Sequence, residues 1–225
     1  MNLQIATRPY SAQFDEHYWA PGRGVEEKRG VFVAGTRLPD ICKTQKHIAV
    51  GELGFGTGLN CALALATFLA QAQPEKKLAF YSTEAHPLPL NDLEKIHAAL
   101  PPELAGLLAP VRPAWPKLAM GWNDIALAPH ATLYLWVGDA LEGLKSLAFT
   151  ADCWWLDGFS PTKNPAMWAP ELMAEVAKHS KLGTFVASYS VARVVRNRLQ
   201  DVGFTVERVG GIPPKRHRLE GVFKG

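Results

Sequence analysis

Glycine is concentrated in one short stretch of this 225-residue chain, Glu52-Leu53-Gly54-Phe55-Gly56-Thr57-Gly58. Glycines spaced in this way let the backbone turn tightly and approach a ligand, with the N-terminus of the next helix facing it. A dinucleotide fingerprint would need a glycine where Leu59 stands, and a phosphate-cradling Walker loop would need Gly-Lys-Ser/Thr where the chain reads Gly58-Leu59-Asn60. Glu52, just ahead of the loop, repels pyrophosphate but suits a ligand with an ammonium group and no phosphate, such as S-adenosylmethionine. A purely structural glycine turn is the alternative.

Three further acids follow apolar runs. Glu84 closes Ser82-Thr83-Glu84, where a carboxylate can accept hydrogen bonds from both hydroxyls of a ribose; alone it would read as a solvated loop acid. Asp139 follows Gly138, where it can accept from an adenine amino group or cap the helix beginning at Ala140. Asp157 opens Asp157-Gly158-Phe159-Ser160-Pro161 after Trp154 and Trp155. Among such aromatics a carboxylate has to be paired or functional, because an unpaired buried charge is costly; the bland reading is a turn aspartate. Glu52, Glu84 and Asp139 at three successive strand ends around one glycine loop give the layout of a class I methyltransferase pocket.

The elements that must hold these residues alternate in type. His47 to Leu53 reads as a buried strand and Asn60 to Ala72 as a helix. Strands follow at Leu78 to Ser82, Thr132 to Val137, Asp152 to Leu156 and Thr184 to Ser188. Helices are expected at Asn91 to Leu100, Pro170 to His179 and Val191 to Val202, the last with Val191, Val194, Val195, Leu199 and Val202 along one side and Gly203 at its C-terminal stop. Phe204 to Val209 and Leu219 to Phe223 look like two strands joined by a basic, Pro-rich loop. Residues 1–46 read as an extension packed on the core domain, 47–225, with Val31 to Ala34 as a strand of a small hairpin. The expected fold is α/β: a Rossmann-like, mostly parallel seven-stranded sheet with a closing antiparallel hairpin. Ligands of such sheets sit at the C-terminal strand ends.

Composition narrows the classes. Hydrophobic residues make up 48% and charged residues 20%, which is a globular balance and excludes dominant disorder. The best apolar run, Cys61 to Ala70, is half a membrane span. The first residues lack the pattern of a secretory signal. Cys42, Cys61 and Cys153 are widely spaced and unpaired by motif, which argues against a disulfide framework or zinc knuckle and fits a reducing, cytoplasmic location. A net charge of +3 permits a nucleic-acid partner without demanding one.

Taken together, the segments FDEHYW (Phe14 to Trp19), VEEKRGVFVAG, GELGFGTGLN, LDGFSPTKNPAMW, VRNRLQDVGFTV and KRHRLEGVF resemble the S-adenosylmethionine (SAM)-dependent tRNA methyltransferases of the MnmC/MnmD type. The resemblance covers nearly the whole chain, and the pairing of the glycine loop with LDGFSPTKNPAMW is its most specific part. It implies methylation of the aminomethyl group on a modified wobble uridine, giving 5-methylaminomethyl-(2-thio)uridine, with SAM as cofactor, tRNA as partner and no metal. Glu52, Gly54, Phe55, Gly56, Gly58 and Asn60 then match the cofactor loop, Glu84 and Asp139 the ribose and adenine contacts, and Asp157 the acid near the substrate amine. Tyr18, Phe159, Lys163, Asn164, Pro165 and Trp168 match the substrate rim, and Lys215, Arg216 and Arg218 an RNA contact. Ala166 departs from the family pattern, where many members carry an acid, and Gly211-Ile212-Pro213-Pro214 replaces a more glycine-rich loop. Some members are fused to a FAD-dependent oxidase that prepares the amine. No segment here resembles it, so the chain is expected to be a stand-alone enzyme or half of a bifunctional one, with a separate or fused oxidase as partner.

On this reading Asp157 accepts a hydrogen bond from the amine and orients its lone pair towards the methyl group. The wobble base must be splayed from its stack to reach the pocket, and Trp168 or Trp122 is available to stack on it. Arg193, Arg196 and Arg198 read as a solvated helix face that can also meet phosphate. The rival readings are a methyltransferase acting on another amine, small-molecule or protein, and an RNA-binding module with a relict methyltransferase fold. A dehydrogenase is disfavoured by the glycine spacing.

Overall fold

The computed structural model describes residues 9–19, 22–71, 73–213 and 216–225. Its centre is a sheet of eight strands in the order β5-β6-β4-β3-β7-β8-β10-β9. The ranges are β3 His47–Leu53, β4 Lys77–Glu84, β5 Gly121–Ala128, β6 Ala131–Val137, β7 Ala151–Leu156, β8 Ser180–Ser188, β9 Phe204–Gly210 and β10 His217–Phe223. Ahead of them, β1 (Tyr10–Ser11) and β2 (Glu16–His17) form a separate two-stranded hairpin.

The run β6-β4-β3-β7-β8 is parallel, and β5 and β10 pair antiparallel at its two flanks. Parallel strands are covered on both faces, so they read as continuous apolar runs. In β7 every residue is buried, with Cys153 and Trp155 entering one hydrophobic core and Trp154 and Leu156 the other. Gly51 on the neighbouring strand is what lets Trp154 lie flat there. A Cβ at that position would fall 2.6 Å from two ring carbons.

Sequence reading and structure part at three places. The sheet has an eighth strand: β5 occupies part of the Pro-rich connection and pairs with β6. Its residues Asn123 to Ala128 alternate only weakly, and one side of an edge strand needs no partner to define it. Val31 to Ala34 is not a strand but part of a π-helix, Arg29–Ala34, that continues the helix Gly24–Lys28. The β-branched residues Val31 and Val33 favour extended backbone, but packing overrides that preference. Phe32 stacks on Trp155 at 5.6 Å, in the same core as the sheet. The hairpin of the N-terminal segment is instead β1–β2. Finally, the helix after the glycine loop runs over Leu59–Leu69; Ala72, like residues 1–8, lies outside the described residues.

Register aligns the strand ends. Leu53 lies opposite both Thr83 and Leu156, and Glu84 lies opposite Val137. The segments that follow β3, β4, β6 and β7 therefore leave the sheet along one edge. Gly51→Ala should lower unfolding free energy by about 1–3 kcal/mol, because the added methyl has to push a fully buried indole. Urea denaturation of the two proteins checks this.

Candidate active site

The loop after β3 is built on positive φ, with Gly54, Gly56 and Gly58 at +94°, +55° and +78°. Gly56 faces the ring of Tyr18, to which an added Cβ would approach within 3.0 Å. Its N–H donates to Glu84 Oε2 at 2.8 Å, and His86 N–H donates to Glu84 Oε1 at 2.8 Å. His97, from the helix Leu90–Ala98, donates through Nε2 to the Thr57 carbonyl oxygen at 2.9 Å and so steadies the loop from below. Phe55 packs beneath it against Trp115, with ring centroids 5.7 Å apart.

Under the loop runs a buried polar chain. Ser82 Oγ donates to Glu52 Oε2 at 2.6 Å. Asn60 Nδ2 donates to Glu52 Oε1 at 2.8 Å and to Asp157 Oδ2 at 2.6 Å. The Lys28 ammonium donates to the same Asp157 oxygen. Both ends of that ion pair are buried, with side chains 6% and 7% exposed. Among the described residues Asp157 Oδ1 has no hydrogen-bond partner of ordinary geometry, although the Tyr189 phenol lies against the carboxylate. Burial, helped by the charge of Asp157, pushes Glu52 up to about 8 against the lowering effect of its hydrogen bonds. Burial likewise raises Glu84, opposed by its two backbone bonds.

These groups border a cavity of about 370 Å³, a volume typical of small-molecule sites. Its walls include Gly54, Phe55, Gly56, Asn60, Glu84, Asp139, Asp157, Phe159 and Asn164 from the expected set. Asp139 does cap a helix, Ala140–Ser146, accepting from Leu141 N and Glu142 N through Oδ1. Both of these bonds use the one oxygen.

The β1–β2 hairpin forms the roof. Gln13, Phe14 and Tyr18 line the cavity, and Phe14 stacks on Phe159 at 4.7 Å while Tyr18 meets the same ring at 5.3 Å. Glu16 Oε2 accepts from Ser160 N at 3.0 Å and Ser160 Oγ at 2.9 Å, and Asp15 pairs with Lys163 at 2.6 Å. Burial and the nearby Glu84 charge hold Tyr18 near 12, against a lowering hydrogen bond from Ser11.

Other expected residues lie elsewhere. Glu52, beneath the loop, and Gly58, at its end, do not line the cavity. Trp168 is a correction: at 1% exposure, with Nε1 donating to the Phe159 carbonyl at 2.8 Å, it cannot stack on a base. It braces the segment after β7 instead, its indole packed in the core while Nε1 finds a carbonyl partner. Lys163 is held by Asp15, and Pro165 starts a short 3₁₀ turn on the surface. Arg218 is spent within the terminal hairpin on Glu220 and the Gly210 carbonyl. Arg216 is exposed, and Lys215 and Pro214 lie outside the described residues. Arg198 donates to the Trp168 carbonyl, so it does not belong to a solvated face.

Sequence reasoning missed Lys28, His97 and Tyr189. A lysine among acids in Val25-Glu26-Glu27-Lys28-Arg29 reads as a solvated helix position, and only its place in a family-like segment set it apart.

An S-adenosyl-L-methionine-dependent methyltransferase family model matches residues 102–224. The chain is 39% identical over 220 residues to the tRNA 5-methylaminomethyl-2-thiouridine biosynthesis bifunctional protein MnmC of Magnetococcus marinus, a match spanning 96% of this chain and 32% of the relative. The protein of the same name from a Caulobacter species is 40% identical over 223 residues, spanning 96% and 37%. The chain thus covers about a third of the length of these relatives. Among solved structures, MnmC2 from Aquifex aeolicus superposes with a TM-score of 0.70 at 22% identity, over 93% of this chain and 64% of that one, which is a likeness of fold.

The elevated Glu52 carboxyl has a stability consequence with a definite sign. Between its ordinary 4.5 and about 8 the unfolded chain has released this proton while the folded chain keeps it, so stability falls as pH rises through that window. Glu52→Gln should remove this component. Denaturation of both proteins at about pH 5 and about pH 9 should show a smaller loss in the variant.

Proposed function

The chain belongs to the S-adenosyl-L-methionine-dependent methyltransferases, and on that premise we propose that its acceptor is the primary amine of a 5-aminomethyl-uridine at the wobble position of tRNA. The observation that carries the reading is Asp157. It is a buried carboxylate at the end of β7, bordering the cavity beside Phe159, with Oδ1 unclaimed by any ordinary hydrogen bond among the described residues. The relatives, named for 5-methylaminomethyl-2-thiouridine biosynthesis in tRNA, supply the substrate class.

The residues present fit the cofactor. Asn60 Oδ1 and Thr83 Oγ1 are buried at the cavity wall without partners among the described residues, which suits a ligand rich in amino and hydroxyl groups. Glu84 would take the ribose hydroxyls, Asp139 Oδ2 the adenine amino group, and Asn60 with the glycine loop the amino-acid end. When bound, SAM supplies a methyl carbon on a sulfonium, so the amine lone pair forms the N–C bond while the electrons of the broken C–S bond stay on sulfur.

The chain's task is to present the amine. With lysine as reference, pKa ~10.4, only about one amine in 10³ is a free base at pH 7. Asp157 Oδ1 accepts one N–H of that amine and points its lone pair across the cavity. Phe14, Phe159 and Tyr18 offer aromatic surface for a base splayed from the anticodon loop. Ile212 lies against Gly30, two residues after Lys28, and the exposed Arg216 that follows it in the chain would meet the RNA backbone. A FAD-dependent oxidase activity, fused or separate, would supply the amine, and the reaction would take place in the cytoplasm.

Incubation with SAM and tRNA carrying unmethylated 5-aminomethyl-uridine, followed by nucleoside mass spectrometry, should show conversion to the methylaminomethyl nucleoside. SAM binding without conversion would move the acceptor to another amine. Asp157→Asn should cut turnover by about 100-fold or more with SAM affinity essentially unchanged, whereas equal loss of both would assign Asp157 to the cofactor or to folding. Arg216→Ala should weaken tRNA binding and lower the log–log salt slope by about 1; titrations at several salt concentrations read this directly.

A further inference from the structure

Lys28 ends its helix at the point where the helical path widens into the π-helix, Arg29–Ala34. Such widenings recur at functional positions. Its side chain is buried, yet it borders the cavity. The ammonium is bonded to Asp157 Oδ2 and lies 5.1 Å from the Tyr189 ring centroid and 5.6 Å from that of Phe32. A lysine this buried is rare and has to be paired. A purely structural pair has no reason to face a ligand site.

The charges around it decide what an incoming amine meets. Asp157 faces Lys28 directly, and Asn60 donates to the same oxygen. Glu52 acts on the pair through space, and burial keeps its carboxyl protonated up to about 8. Tyr189 is held as a neutral phenol by burial and by Asp157, and Glu16 and Glu27 also act on that phenol. Glu16 is itself engaged by Ser160. The negative charge of Asp157 is therefore countered before any substrate arrives.

A substrate alkylammonium is the same chemical group as the end of Lys28, and it finds the counter-ion position filled. Binding in the charged form would set two ammonium groups on one carboxylate, which like-charge repulsion opposes. Binding as the neutral amine adds no second cation: it brings an N–H to the Asp157 carboxylate at Oδ1, beside the Tyr189 phenol that lies against the same group. Resting on the amine-acceptor reading above, we infer that Lys28 is a positioning residue that holds the bound substrate amine as its nucleophilic free base by occupying the counter-ion place on Asp157. The proton given up by the ammonium passes to water as the amine enters. An amine beside a fixed cation loses its proton more readily by the same electrostatics that activates lysine nucleophiles.

The test uses the full chain, SAM and tRNA carrying 5-aminomethyl-uridine. Single-turnover rates are measured across pH for the unaltered protein, Lys28→Gln and Lys28→Arg, alongside calorimetric SAM binding and thermal unfolding. The rate of the unaltered protein should rise with a midpoint below that of the free amine, measured by NMR on the same tRNA. Lys28→Gln keeps a hydrogen-bond donor but removes the charge. It should move the midpoint up by about one unit, with about tenfold loss near neutral pH that is recovered in alkali. Lys28→Arg should keep the original midpoint, and SAM affinity should not weaken in either variant. A parallel loss at every pH, or weakened SAM binding in both variants, would make Lys28 merely structural and overturn the inference. If Lys28→Gln does not fold, a midpoint of the unaltered protein equal to that of the free amine overturns it equally well. Conversion by the unaltered protein with no shift in Lys28→Gln sinks the Lys28 role alone. No conversion despite SAM binding removes the amine-acceptor reading and this inference with it.

Discussion

One side-chain amide holds two carboxylates. Asn60 Nδ2 donates to Glu52 and Asp157 at 2.8 and 2.6 Å, and both acids are buried. Burial strips both acids of hydration, and Glu52 meets this by keeping its proton up to about 8, so the arrangement persists only if each acid is also satisfied by partners elsewhere. Ser82 answers for Glu52 and Lys28 for Asp157. The chain of groups therefore ties β3, β4, the end of β7, the first turn after the glycine loop and the helix Gly24–Lys28 to one another. Removing one partner of such a buried set generally costs ~3–5 kcal/mol, a large fraction of the stability of a domain. The loop above it is consequently a fixed surface, on which Glu84 and His97 have only to hold single backbone groups.

A division of labour follows from where each acid sits. Glu52 is under the floor and shapes the loop from within. Glu84 accepts from the glycine loop and from His86, and Asp139 from the helix it caps, while both side chains line the cavity. Asp157 combines a strong cationic partner on Oδ2 with a buried Oδ1 that has no partner of ordinary geometry among the described residues, the Tyr189 phenol lying against the carboxylate. Four carboxylates that look alike in sequence thus differ in the work they are free to do, and the difference is set by what has already claimed their oxygens.

The sheet and the acids at its edge were legible because parallel strands are apolar runs and because their C-terminal ends must carry the ligand groups. His47 to Leu53 is one such run, bounded in sequence as in structure. β5 was not legible, since what fixes it is tertiary: Trp122 packs on Tyr81 and Trp136, and Asn123 bonds backbone on either side, none of which shows as alternation in Trp122, Asn123 and Asp124. Val31 to Ala34 misled because β-branched propensity is local, whereas the stacking of Phe32 on Trp155 joins residues far apart in the chain. Lys28 was invisible for the same reason: a lysine reads as solvated until a carboxylate from another strand is placed beside it. Trp168 was read as a rim residue, but its ring turns inward: Nε1 donates to the Phe159 carbonyl and its own carbonyl accepts from Arg198, contacts that no local pattern reveals.

The roof has a kinetic meaning. The hairpin reaches the loop that carries Asp157 through the Phe14–Phe159 stack and the bonds of Asp15 and Glu16 to Lys163 and Ser160. The roof and the segment that carries Asp157 are therefore mechanically one unit. Any displacement of the hairpin from the cavity would have to break these contacts together, so access to the cavity and the placement of that segment are coupled.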